Sequence, residues 1–199
     1  MATLQHRGTE ILEANVMATR RQKGFSLIEV MISMVIMTVG LVSLLGVFGL
    51  AMASTQTSQQ NAISKQLANE ALEGVLTERE TANVNWSAIA NTGNGGVFLS
   101  GFQPINLPGA DGIIGTADDA AAGPQVLTMP GPDGIFGTAD DVLLPLTNYQ
   151  RQIQITQATD QFGNPIPTLD VVTVTIQYTN PQLRIPQNYV LTTYVSQFR

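Results

Sequence analysis

Hydrophobic and polar positions alternate in different ways along the chain, and each pattern predicts a different element. From Phe25 to Ala53 the apolar residues run almost unbroken, FSLIEVMISMVIMTVGLVSLLGVFGLAMA, with Glu29 as the only ionisable side chain. A helix crosses a bilayer with about 20 apolar residues, so this run predicts one membrane-spanning helix over 25–53. From Ser54 to Glu80 the chain turns polar but keeps Ile63, Leu67, Ala71, Val75 and Leu76 at helical spacing. That stripe predicts an amphipathic continuation over 54–80, facing its own domain as the spine of a folded head. Residues 81–107 are rich in Asn, Gly, Ser and Thr and read as a connecting loop. After a Gly- and Asp-rich stretch over 108–142, residues 143–199 hold three strand-like runs: Tyr149–Gln157, Leu169–Thr179 and Asn188–Phe198. In the middle run Val172, Val174, Ile176 and Tyr178 alternate with Thr173, Thr175 and Gln177, the pattern of a half-buried antiparallel strand. Phe162-Gly163-Asn164-Pro165 and Asn180-Pro181 supply the turns. The predicted fold class is α+β, a long N-terminal helix packed on a small antiparallel β-sheet.

Composition sharpens this picture in two places. Only 12% of the residues are charged against 44% hydrophobic, and the apolar run accounts for the imbalance. Charge is also uneven. Residues 1–24 carry four basic side chains, Arg7, Arg20, Arg21 and Lys23, against Glu10 and Glu13, whereas from Phe25 onward five basic residues face thirteen acidic ones. Basic residues before the apolar run and none after it until Lys65 place the N-terminus in the cytoplasm by the positive-inside rule. An acidic head without a basic patch argues against a nucleic-acid partner.

On hydropathy alone the run is a single-span anchor. It is too long for the apolar core of an ordinary secretory signal. Glu29 is what distinguishes it, because a carboxylate in hydrocarbon costs about 2.5–3.5 kcal/mol on insertion scales and marks a function with a partner. The octapeptide Lys23-Gly24-Phe25-Ser26-Leu27-Ile28-Glu29-Val30 resembles the class III signal of type IV prepilins and type II secretion pseudopilins. The continuation Met31-Ile32-Ser33-Met34-Val35-Ile36-Met37-Thr38-Val39-Gly40-Leu41 is similar to minor pilins of the type IV pilus modification protein family, and the close resemblance covers about residues 20–80.

That resemblance implies a 1–24 cytoplasmic leader, removed after Gly24 by a prepilin peptidase that also methylates the new amine of Phe25. It implies a single-pass protein of the bacterial inner membrane, with a periplasmic head, that assembles through its N-terminal helix with other pilin subunits into a pilus or periplasmic filament. There the Glu29 carboxylate would pair with the Phe25 amine of an adjacent subunit, so that two buried charges neutralise each other. A start at Met17 would leave the shorter leader MATRRQKG. Major pilins commonly carry a proline in the membrane segment; here the first proline is Pro104. Gly40, Gly46 and Gly49 either loosen the helix or allow close packing with neighbours.

The head contains a duplication. Pro108-Gly109-Ala110-Asp111-Gly112-Ile113-Ile114-Gly115-Thr116-Ala117-Asp118-Asp119 recurs as Pro130-Gly131-Pro132-Asp133-Gly134-Ile135-Phe136-Gly137-Thr138-Ala139-Asp140-Asp141. Each copy sets one aspartate seven residues before an aspartate pair, with glycines that let the loop curl back. Three hard carboxylates plus backbone carbonyls suit Ca²⁺, which takes 6–8 oxygen ligands. The spacing is not that of an EF-hand. It resembles the calcium loop of the major pseudopilin of type II secretion, although here the motif is doubled and precedes the last strands. The other reading is plain turns, since Asp-Gly is a strong turn signal and aspartate caps backbone amides.

Cysteine is absent and the only histidine is His6, in the leader, so Cys–His and Ser–His catalysis are missing from the processed chain. An enzyme is therefore not expected. The residues together predict a minor structural subunit of a type IV pilus, with a type II secretion pseudopilin and a calcium-dependent pilus adhesin as the competing functions.

Overall fold

The computed structural model of the chain describes residues 24–179 and 185–198. The leader before Gly24, the Asn180-Pro181 turn and Arg184 lie outside the described residues. The chain divides into a first unit ending at Gly49 and a second from Leu50. Helix α1, Leu27–Thr81, contributes to both.

In the first unit α1 begins where the Ser26 carbonyl accepts the amides of Glu29 and Val30, at 3.0 and 3.2 Å. Its residues up to Gly49 are exposed on every side, as a helix read as lipid-facing must be. Its hydroxyls are satisfied within the helix. Ser33, Thr38 and Ser43 donate to the carbonyls of Glu29, Val35 and Val39, so none carries an unmet donor.

In the second unit α1 gains an inward stripe. Leu67, Ala68, Ala71 and Val75 are buried in one cluster with Val172, Val174 and Ile176 of the sheet. Ala82, at φ 53°, ends the helix in the left-handed position usually taken by glycine.

Two short 3₁₀ helices follow, Trp86–Ala88 and Thr92–Asn94. The region expected as a plain loop over 81–107 thus has structure of its own, and it ends in β1, Gln103–Pro104. Next come the short helix α2, Asp119–Ala122, and a two-stranded ribbon of β2, Val126–Met129, with β3, Val142–Pro145. The three expected strands are present as β4, Tyr149–Thr159, β5, Pro165–Thr179, and β6, Pro186–Ser196. They form an antiparallel sheet in the order β1-β4-β5-β6. The three short strands were not legible in the sequence because two to four residues carry no measurable alternation.

A side chain finishes the edge of β4. β1 covers β4 only at Gln150 and Arg151. Beyond that point the buried Asn91 takes the place of a strand: its Nδ2 donates to the Ile153 carbonyl at 2.7 Å and its Oδ1 accepts the Ile155 amide at 2.8 Å. The same Nδ2 reaches the carbonyls of Phe98 and Leu99 at 3.4 and 3.3 Å. Asn91→Ala strands a buried amide and a buried carbonyl, and we expect it to cost about 2–4 kcal/mol. Urea unfolding of the full chain in detergent checks this; a loss below about 1 kcal/mol would show that Asn91 does not close the edge.

Candidate functional site: the processing junction and the acidic loops

The two groups of candidate residues fall in different units. Gly24, Phe25 and Glu29 belong to the first unit, and the six aspartates to the second. Gly24 has open space around its backbone, and Phe25 is 82% exposed just before the first turn of α1. Extended, uncovered backbone on the N-terminal side of a helix is what a peptidase needs to bind. Glu29 lies in that first turn, exposed, with no hydrogen-bond or ion-pair partner for its carboxylate among the described residues. A carboxylate placed on an apolar helix in hydrocarbon costs free energy unless it is partnered.

The duplicated loops share one internal architecture. In the first, the amide of Ile113 donates to Asp111 Oδ1 at 2.8 Å, that of Asp111 to Asp118 Oδ2 at 3.1 Å, and that of Gly115 to Asp119 Oδ2 at 2.6 Å. The Thr116 hydroxyl sits 2.7 Å from Asp118 Oδ1. In the second, Ile135, Asp133 and Gly137 make the same bonds to Asp133, Asp140 and Asp141, and Thr138 lies 2.6 Å from Asp140 Oδ1. Gly109 and Gly131 explain one conserved feature of the repeat: a Cβ at either would collide with the carboxylate of Asp118 or Asp140. Hydrogen bonds from Thr116 and Thr138, before those from the loop amides, hold the carboxyls of Asp118 and Asp140 below the usual carboxylate range.

This arrangement bears on the calcium expectation. Asp111 Oδ1 and both oxygens of Asp118 and of Asp119 already accept hydrogen bonds, five of the six carboxylate oxygens in the first loop. Among the described residues no three acidic side chains gather as a metal set. These hydrogen bonds make the carboxylates clasps of their own loops.

The copies differ in their surroundings. Ile113, Thr116 and Asp119 of the first loop are buried, whereas Ile135 and Phe136 of the second are 60% and 66% exposed. Asp119 Oδ1 accepts the Gly109 amide at 3.0 Å, while the equivalent Asp141 Oδ1 has no partner. The first loop also meets a residue not predicted from the sequence. Arg151, on the inward face of β4 and 2% exposed, feels the charges of Glu70 on α1 and of Asp119. Burial pushes its guanidinium down from its ordinary value, and those two acids oppose the shift. The signal for it was a base in the inward register Tyr149, Arg151, Ile153, Ile155.

Comparison with known proteins bears on the junction. Residues 19–45 match the family described as the prokaryotic N-terminal methylation motif. No curated protein and no solved structure matches the chain. The chain carries a type IV prepilin-like class III signal, its α+β fold is pilin-like, and its one long apolar helix is of a length and composition that fit a membrane anchor. The motif implies processing by prepilin peptidase and assembly with other pilins.

Two outcomes follow for the loops. Asp119→Ala removes the acceptor of two amides and a counter-charge of buried Arg151, and should cost about 2–4 kcal/mol, while Asp141→Ala should cost below about 1 kcal/mol. Equal losses in urea unfolding would refute the different seating of the loops. If either loop holds Ca²⁺, millimolar calcium should raise the melting temperature of the detergent-solubilised chain; an unchanged value would leave the loops as plain turns.

Proposed function

We propose that this chain is a minor subunit of a type IV pilus, cut after Gly24, methylated on Phe25 and drawn from the inner membrane into the filament by its N-terminal helix. The observation that carries the reading is the lone Glu29 on an otherwise apolar, uncovered helix, four residues after the first residue of the processed chain. Within lipid that carboxylate has no counter-charge. When helices of neighbouring subunits come together, the cationic amine of Phe25 of one reaches Glu29 of the next, and each charge offsets the burial of the other. Assembly then lowers a penalty that the isolated subunit carries in the membrane. The N-terminus faces the cytoplasm before cleavage, because Arg20, Arg21 and Lys23 flank the span on that side, and the head folds in the periplasm.

A pseudopilin of a type II secretion system would use the same junction, and a calcium-dependent adhesin would need the acidic loops to bind a cation. The self-clasped loops favour the pilus subunit over the adhesin.

Mass spectrometry of the protein recovered from membranes should show a chain beginning at Phe25 with one added methyl group. Gly24→Leu should keep the leader, and appearance of the shorter product in that variant would refute the assigned cut. Glu29→Ala should be processed normally yet fall by at least about tenfold in sheared filaments, from the cost of the unpaired Phe25 amine. Wild-type incorporation would remove the pairing.

A further inference from the structure

The inward row of β5 contains one residue that the core does not explain. Val172, Val174, Ile176 and Tyr178 occupy successive inward positions and are almost wholly buried. The next position in that register is Asp170, opposite Gln157 of β4 and Val195 of β6, and it is 6% exposed. A buried carboxylate in a row of valines normally has an arginine, a lysine or a set of amides around it. Asp170 has no hydrogen-bond or ion-pair partner among the described residues. Burial alone raises its carboxyl above the ordinary value, with no neighbouring charge opposing the shift. Arg79 and Arg151, the other buried or half-buried bases of the head, are engaged elsewhere, Arg79 with Glu80 and the Phe198 carbonyl and Arg151 with the field of Glu70 and Asp119.

Asp170 opens into a cleft of about 650 Å³, of the size that holds a small ligand. Its walls are apolar at Trp86, Ile89 and Ile155 and polar at Asn94 and Gln157. The indole N–H of Trp86 donates to the Pro167 carbonyl at 2.9 Å, which fixes the ring at the cleft and commits its only donor elsewhere. A β-bulge between Gln157 and Thr159 interrupts the pairing of β4 with β5 beside Asp170, a feature over-represented next to binding sites.

We propose that this cleft binds an organic cation on an apolar stem, a guanidinium or ammonium group, with Asp170 as its counter-ion and Trp86 as an aromatic wall. A cation supplies what the site lacks, a charge for a carboxylate that no donor among the described residues reaches. The indole and the carboxylate attract the same ligand charge, and the walls of Ile89 and Ile155 suit a methylene stem. Asn94 and Gln157 carry amide carbonyls able to accept the remaining N–H groups. A neutral saccharide would use the same indole but would leave the charge of Asp170 unanswered. The site is independent of the Gly24 junction and of the acidic loops.

The test uses the full chain in detergent, where Trp86 is the only tryptophan and reports directly from the cleft. Titration with agmatine should change its emission saturably at or below about 1 mM, with the midpoint rising as salt is added. A short arginine-containing peptide, with its backbone termini blocked, separates the two sources of the cation: response to agmatine assigns a free small amine, and response to the peptide alone assigns a side chain of a protein segment. Asp170→Asn should weaken binding at least about tenfold. Asp170→Val completes the apolar row, so it should raise the melting temperature while abolishing the response. No response to either cation, an unchanged midpoint in Asp170→Asn, a response to methyl glucoside in place of the cations, or a lower melting temperature in Asp170→Val would each overturn the proposal.

Discussion

The head depends on how closely α1 can approach the sheet. Ala68 and Ala71 are wholly buried, and alanine at both positions lets the helix backbone come near the inward row of β5 with no large side chain between them. Leu67 and Val75 fill the space on either side, in one cluster with Val172, Val174 and Ile176. Ser64, also wholly buried, is tolerated there because its hydroxyl turns back onto the Gln60 carbonyl at 2.8 Å. Once this face is set, the remaining contacts have fixed places. The Tyr178 hydroxyl meets Asn61 at 2.9 Å, Glu70 meets Gln125, and Arg79 reaches the Phe198 carbonyl beyond the end of β6. Larger residues at 68 or 71 would displace all three together.

Asn91, Arg151 and Asp170 are among the polar side chains buried in or beside that core, and each is treated differently. Asn91 is fully used, since its amide substitutes for a missing strand along β4. Arg151 makes no close bond but is balanced by two acids, so its interior charge is met by the field rather than by contact. Asp170 has no hydrogen-bond or ion-pair partner among the described residues and lines the cleft. Buried polar groups in native folds are nearly always satisfied, and this contrast within one small domain is what motivates the proposed cation site at Asp170.

Much of the architecture was legible because it follows from periodicity. The all-apolar run, the stripe from Ile63 to Leu76 and the alternation in β5 each span enough residues to reveal their period, and α1, β4, β5 and β6 lie close to where those patterns put them. The processing junction was legible for a different reason: it is a local code of residues read in sequence, with no tertiary contact needed. The acidic loops were legible as a duplication but not as two environments. Near-identical motifs differ in what covers them, and Arg151, which feels the charge of Asp119, lies thirty-two residues away in the chain. Asn91 and the Asp170 cleft were invisible for the same reason, since pairing across strands decides what a polar residue faces.

The two units solve opposite solvation problems with one helix. Over the head, α1 is half wet and hides a narrow stripe of small residues; before Gly49 it exposes apolar surface on every side and hides nothing. An all-round apolar helix is stable in lipid or among other helices, so its surface by itself gives no preference between membrane and filament. Direction must come from a group whose free energy differs between the two. Glu29 is the one ionisable side chain there, and on the proposed reading the amine freed by a cut after Gly24 would supply its counter-charge from a neighbouring helix. On that proposal cleavage would do more than shorten the chain: it would make the charge that gives the filament an advantage over the bilayer, and an uncut subunit would share the helix and lack the driving force.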